Sequence, residues 1–214
     1  MSKATAHTRY KSKDGTIIPG VTTIIGQLDD GKSGALAGAA NKLGLKGIDS
    51  RKLWGEMADI GTLAHAFIVA DVKGEKADTS DYSQDMISQA ENSYLSWLEW
   101  RKGKVLEPTL TETPLISEKF QYGGTLDYYG KIDNILVLND YKTGGIYRIA
   151  YIQCCGYIQL LIENGHKVPE KIIILGLPRT LDEKFQEVTY TNFDTGIKTF
   201  LILRELYDVL KEVK

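Results

Sequence analysis

Gly123-Gly124-Thr125-Leu126-Asp127, followed by Asp140-Tyr141-Lys142-Thr143-Gly144, is the stretch on which the reading of this chain turns. Between the two lies Asp133-Asn134, a turn-forming pair. Asp127 stands six residues before Asp133, and Asp140 six after Asn134, so a hairpin turning there sets the two aspartates opposite each other. Cross-strand neighbours have Cβ atoms ~4.5–5.5 Å apart, and two like charges at that distance repel unless something positive lies between them. Strand side chains alternate, so Lys142 emerges on the face of Asp140 while Tyr141 points to the other. Two carboxylates and one ammonium therefore converge. Mg²⁺ takes oxygen ligands, commonly one or two carboxylates with waters and a substrate phosphate, and the trio meets that need. The lysine would stay off the metal, its charge available to a transition state of phosphoryl chemistry. On spacing alone, the plain alternative is a surface hairpin with two unrelated aspartates and a solvated lysine.

Working outward, Thr22–Ile25 is a β-branched run after Pro19-Gly20 and reads as a strand or strand end. Leu53, Trp54, Met57, Ile60, Ala64, Phe67 and Ile68 recur at helical spacing. Met86, Ile87, Ala90, Tyr94, Trp97 and Leu98 repeat the pattern, in a helix ending near Gly103. Residues 111–143 are strand-like, and 152–162 return to helix. Lys171–Leu177 has the nearly continuous apolar character of a buried strand, Phe185–Thr191 suggests another, and Thr195–Leu210 a closing helix. The expected fold is α/β: a central mixed β-sheet flanked by helices, in one domain spanning 1–214.

The chain has 214 residues with 26 Lys+Arg against 28 Asp+Glu and a sequence pI near 6.0, which on its face argues against a polyanionic partner. The distribution is more informative. Residues 1–50 hold seven Lys/Arg and four Asp/Glu, residues 51–162 eleven and fifteen, and residues 163–214 eight and nine, so the acid surplus is central. No apolar run is long enough to span a bilayer, and Met1–His7 lacks the apolar stretch of a secretory signal, so the expectation is a cytoplasmic protein without a membrane role.

Gly26-x-x-x-x-Gly31-Lys32-Ser33 matches the phosphate-loop pattern, and Ile135–Asp140 could serve as its acidic strand, giving a nucleotide-binding alternative. Asp29 and Asp30 would place negative charge inside a loop that must cradle phosphates, and the glycines after Ser33 weaken the helix it requires. A second alternative is a DNA-binding module without chemistry, although such a module would be expected to have lost one of the acids or the lysine. Arg101, Lys102, Lys104, Arg148 or the group Lys3, Arg9, Lys11 and Lys13 could supply phosphate contacts, with Trp100, Tyr147 and Tyr151 for stacking; none is singled out.

Two more features join the hairpin. His65 falls at the edge of the apolar stripe of its helix, where it can face a cleft. Gln153 and Tyr157, four apart, share one helical face. In this order, His65, Gly124-x-x-Asp127, Asp140-x-Lys142 and Gln153-x-x-x-Tyr157 resemble the RecB-like branch of the PD-(D/E)XK nuclease superfamily, across roughly residues 60–162. Val21–Ile25 is also similar to phage-encoded exonucleases of this branch and to the mitochondrial genome maintenance exonuclease. The resemblance implies a restriction-endonuclease-like core and a metal-dependent DNA nuclease, in particular an exonuclease of recombination, repair or replication. It implies that His65, Asp127, Asp140 and the backbone carbonyl of Tyr141 bind one or two Mg²⁺ or Mn²⁺ ions. It makes Lys142 a catalytic residue with Asp127 and Asp140, and Gln153 and Tyr157 organisers of the DNA-facing side. A histidine ligand favours Mn²⁺ more than an all-oxygen site would. The second acid is Asp140 where many members carry glutamate. A four-cysteine iron–sulfur cluster, found in CRISPR-associated relatives, is not expected, since the chain holds only Cys154 and Cys155. Glu112, which precedes the core hairpin, could be an accessory acid but has no matching position in the resemblance and is read as a strand-edge charge. DNA is the expected partner, with a homo-oligomer or a single-strand-binding or recombination protein as further candidates, and the host cytoplasm is the location if the chain is phage-encoded.

Overall fold

A computed structural model describes residues 9–28 and 32–213. Two short strands, β1 (Tyr10–Lys11) and β2 (Ile17–Ile18), pair as a small hairpin and lead into helix α1 (Val21–Ile25). Helices α2 (Lys32–Gly44), α3 (Ser50–Lys73) and α4 (Gln84–Arg101) follow. Then come β3 (Leu106–Ser117), β4 (Tyr122–Ile132), β5 (Ile135–Thr143), helix α5 (Arg148–Glu163), β6 (Lys171–Leu177), β7 (Gln186–Tyr190) and helix α6 (Asp194–Glu212). The five longer strands form one mixed sheet in the order β3-β4-β5-β6-β7, antiparallel except for the parallel β5–β6 pair. A parallel neighbour requires a crossover, and α5 supplies it.

Local chemistry sets the ends of these elements. Asp49 caps α3 by accepting from the N–H groups of Arg51 and Lys52, and Gly74 closes it in the left-handed conformation. Ser83 caps α4 through the Met86 N–H. Asp133 and Asn134 both have positive φ, 51° and 67°, as a two-residue hairpin turn between twisted strands demands. That turn fixes the β4–β5 register: Ile132 faces Ile135, and the pairing runs back to Tyr128 and Asn139. One step further lie Asp127 and Asp140, where the β4–β5 ladder stops.

Helices cover both faces of the sheet. Against one, α1, α5 and α6 pack Ile24, Ile158, Leu160 and Phe200 on Leu126, Leu138 and Ile174. Against the other, α3 and α4 pack Ile68, Trp97 and Trp100 on Tyr128, Tyr141 and Leu175. In β6, Ile172, Ile174, Leu175 and Leu177 are wholly buried, each contributing about 1.5–3 kcal/mol of apolar burial. Cys154 and Cys155 are buried on α5. Among the described residues no helix is long and apolar enough to cross a membrane.

One reading of secondary structure from sequence is corrected here. Thr22–Ile25 lies in a helix and not a strand: the buried residues Val21, Ile24 and Ile25 follow helical spacing, and their burial against α5 and α6 overrides the β-branched propensity of the two threonines. The glycines after Ser33, read as weakening the helix there, lie within α2, whose alanines offset a cost of about 1 kcal/mol per glycine. The phosphate-loop reading loses its preceding strand, since Gly26 ends α1; residues 29–31 and the side chains of Lys32 and Ser33 lie outside the described residues, as does Met1–His7.

Candidate metal centre

The gap where β4 and β5 part is closed from both sides by helices. From α3, His65 reaches in with Nδ1 3.3 Å from Asp127 Oδ1 and 3.8 Å from Glu112 Oε1. Its ring stands edge-on to Tyr141, centroids 5.8 Å apart, so the aromatic residue on the far side of β5 holds the imidazole in place. The other carboxylate oxygen of Asp127 accepts the Tyr141 N–H at 2.7 Å, standing in for the ladder bond that the parting strands no longer make. Asp140 is 2 % exposed, and its Oδ2 lies 2.6 Å from Lys142 Nζ in an ion pair whose angle falls outside hydrogen-bond geometry. Lys142 keeps about a quarter of its surface open.

Glu112, read from sequence as a strand-edge charge with an accessory acid as the alternative, lies beside His65 and Asp127. In β3 it falls between Thr111 and Thr113, which pair with Tyr128 and Leu126, so it sits across from Asp127. Its φ of 47° departs from strand geometry. A left-handed non-glycine residue costs on the order of 1–3 kcal/mol, and such strain clusters at functional sites. One donor atom each from His65, Glu112 and Asp127 lies within 4.8 Å of the other two. Donors bound to one ion at roughly 2.1 Å stand roughly 3–4 Å apart, so this set of one nitrogen and two carboxylates fits a divalent cation. The only hint in the sequence was an acid between two threonines.

The electrostatics fit the same conclusion. Burial disfavours a charged imidazole, but the charge and hydrogen bond of Asp127, helped by Glu112, override it and raise the pKa of His65 to about 10. A proton on His65 thus separates the two carboxylates. For Asp127, burial pushes upward, while His65, Lys142 and the Tyr141 N–H outweigh it and lower its pKa. Asp140 is pushed up to about 6, chiefly by burial, against the opposing charge of Lys142. Lys142 is raised despite its burial, because Asp140 and Asp127 favour the ammonium.

From the other face, α5 presents Gln153 and Tyr157. Gln153 Nε2 donates to Tyr157 Oη at 2.7 Å, so the two share a face as their spacing predicts. The Tyr157 ring approaches the sheet over Gly124: a Cβ there would lie 2.7 Å from Tyr157 Cε1. Burial, with Asp140 and Asp127 adding to it, raises the Tyr157 phenol well above its ordinary value. Burial does the same for Cys154, leaving an inert thiol behind the acids. Two of the three stacking candidates are engaged elsewhere: Trp100 is buried with Nε1 on Glu187, and the Tyr151 hydroxyl donates to Asn192 O. Arg101 pairs with Asp71 over the Trp97 ring.

No protein-family profile matches the chain, and no curated protein sequence matches it. Among solved structures, it is similar to a Eubacterium rectale protein provisionally described as an exonuclease, at 13 % identity and a TM-score of 0.46, over 69 % of this chain and 64 % of that one. It therefore spans less than two thirds of that relative. It is also similar to LHK-Exo, solved in complex with dAMP, at 14 % identity and a TM-score of 0.38, over 70 % of this chain and 78 % of that one. Similarity of this degree assigns no activity to this chain.

Proposed function

We propose that the chain is a metal-dependent DNA nuclease, an exonuclease of the RecB-like type, with residues 1–214 forming one catalytic domain. The observation that carries this reading is the pair of contacts at the parting of β4 and β5: the His65 imidazole 3.3 Å from Asp127, with Glu112 beside it, and the Lys142 ammonium 2.6 Å from Asp140. His65, Asp127, Asp140 and the Tyr141 carbonyl would hold one or two Mg²⁺ or Mn²⁺ ions, and Glu112 joins them. When bound, such an ion supplies Lewis-acid polarisation of a phosphodiester and a strong nucleophile from water.

The protein's own groups do the rest. Asp127 is fixed at both oxygens, by the imidazole and by a backbone N–H, so its orientation is set before any ligand arrives. Lys142, held as an ammonium beside Asp140, stabilises the negative charge that develops on the phosphate oxygens and can pass a proton to the departing oxygen. Tyr157 stays a neutral phenol and, ordered by Gln153, offers polar contacts on the substrate side. Cleavage would occur in the cytoplasm, or in the host cytoplasm for a phage-encoded chain, alone, as a homo-oligomer, or with a single-strand-binding or recombination protein.

The experiment is digestion of end-labelled and circular DNA, single- and double-stranded, with Mg²⁺ or Mn²⁺. The parent should degrade labelled linear DNA from an end and spare circles. Asp140→Ala and Lys142→Ala should remain folded, by circular dichroism, and lose activity at least 100-fold, the scale set by removing one group that acts on transition-state charge. Digestion by either variant at the parent rate would refute the assignment.

A further inference from the structure

A cleft of about 480 Å³ adjoins the candidate metal centre: its lining includes Glu112 of the donor cluster and Tyr157 from the site's other face. The β1–β2 hairpin forms one wall, with Arg9 and Tyr10, and the last turns of α6 form another, with Tyr207 and Lys211. Glu112 is the acid of the cleft's lining; the cations are Arg9 and Lys211, both exposed. The nearest acid beside Lys211 is Asp208, which is 3.9 Å from that ammonium and is held more closely, at 2.7 Å, by Arg204.

Both tyrosines are set in place by contacts visible in the structure. The Tyr10 ring lies over Gly123, where a Cβ would sit 2.3 Å from Tyr10 Cγ, and its hydroxyl is 3.0 Å from Thr125 Oγ1. The Tyr207 ring lies under the Lys211 ammonium, 4.2 Å from centroid to Nζ. A candidate metal-binding acid, two cations and two tyrosine rings along one cleft match a polyanion carrying flat apolar groups. The volume lies within the roughly 300–1,000 Å³ of pockets that enclose one small ligand, room for one or two nucleotides of a strand.

We infer that this cleft receives the unpaired end of a DNA strand, with Arg9 and Lys211 on successive phosphates and Tyr10 and Tyr207 against bases or sugars, and leads it to the carboxylates. The inference rests on the nuclease reading for the direction of travel, and names its substrate as single-stranded DNA.

The test is a salt titration of binding, by fluorescence anisotropy, of a short labelled oligothymidylate in EDTA, so that no cleavage intervenes. For single strands, each phosphate contact contributes about 0.7 to the slope of log K against log salt concentration, so the double variant R9A/K211A should lower the slope by about 1.4. Its thermal melt should match the parent's, since both residues are exposed. A blunt duplex of equal length should bind more weakly than the oligothymidylate. An unchanged slope, or a duplex bound as tightly as the single strand, overturns the inference. The two readings fail separately: digestion with an unchanged slope removes the cleft and keeps the nuclease, whereas a lowered slope without digestion under Mg²⁺ or Mn²⁺ keeps the cleft and removes the nuclease.

Discussion

Metal binding at this site should release a countable proton. Without an ion, His65 has a pKa near 10, so at pH 7 or 8 it is protonated between Asp127 and Glu112. A metal takes the neutral imidazole, so binding must displace that proton. Because the pKa is raised, the penalty is largest at low pH and fades as pH rises toward 10. At pH 7 it amounts to about three pH units, or about 4 kcal/mol at 1.36 kcal/mol per unit. Apparent Mn²⁺ affinity should therefore rise about tenfold per pH unit between pH 7 and 9. Asp140, near 6, adds about half a proton at pH 6 and almost none at pH 8. Calorimetric titration with Mn²⁺ in two buffers of different ionisation enthalpy counts protons directly. The parent should release about one per ion at pH 8 and about one and a half at pH 6; His65→Ala should release none at pH 8. The count remains informative even though the variant also loses a ligand. If parent and variant release the same number at pH 8, His65 does not carry the exchangeable proton and the ligand set is wrong.

Two structural changes test the supports of the site. Gly124→Ala would bring a Cβ to 2.7 Å from Tyr157 Cε1 and 2.9 Å from Val21 Cγ2, so it should cost about 1–3 kcal/mol by urea unfolding; an unchanged midpoint would show that α5 is not held this closely. Arg204, 7 % exposed, donates from Nε to Phe120 O at 2.8 Å and from Nη2 to Gln121 O at 3.0 Å, tying α6 to the β3–β4 turn. At about 1.5–3 kcal/mol for each hydrogen bond from a charged group, Arg204→Ala should lose about 3 kcal/mol or more, with little recovery in Arg204→Lys, because an ammonium lacks the fork that spans both carbonyls; a loss under 1 kcal/mol would contradict the assignment.

The register of the central hairpin was legible because a two-residue turn leaves no freedom: once Asp133-Asn134 is the turn, the opposite pairs follow back to Tyr128 with Asn139, one step short of Asp127 and Asp140. The faces of α3 and α5 were legible for a similar reason, since helical spacing alone puts His65 at a stripe edge and Gln153 beside Tyr157. What sequence could not supply was the backbone irregularity. Glu112 enters the site through one positive φ in β3, and nothing in Thr111-Glu112-Thr113 announces it. The misreading of Thr22–Ile25 has the opposite origin, a local preference overridden by burial on a core that only the assembled fold creates. The strands β1 and β2, two residues each, are too short to leave a period, yet they form a wall of the cleft.

The conformation of Glu112 also bears on how this chain would respond to selection. A position held at φ 47° is more comfortable as glycine or asparagine, so variants chosen only for thermal endurance should drift there and shed the carboxylate as they gain stability. A glutamate that persists at 112 through such a selection would mark the strain as maintained by use, and would make that one backbone angle a record of what the protein does.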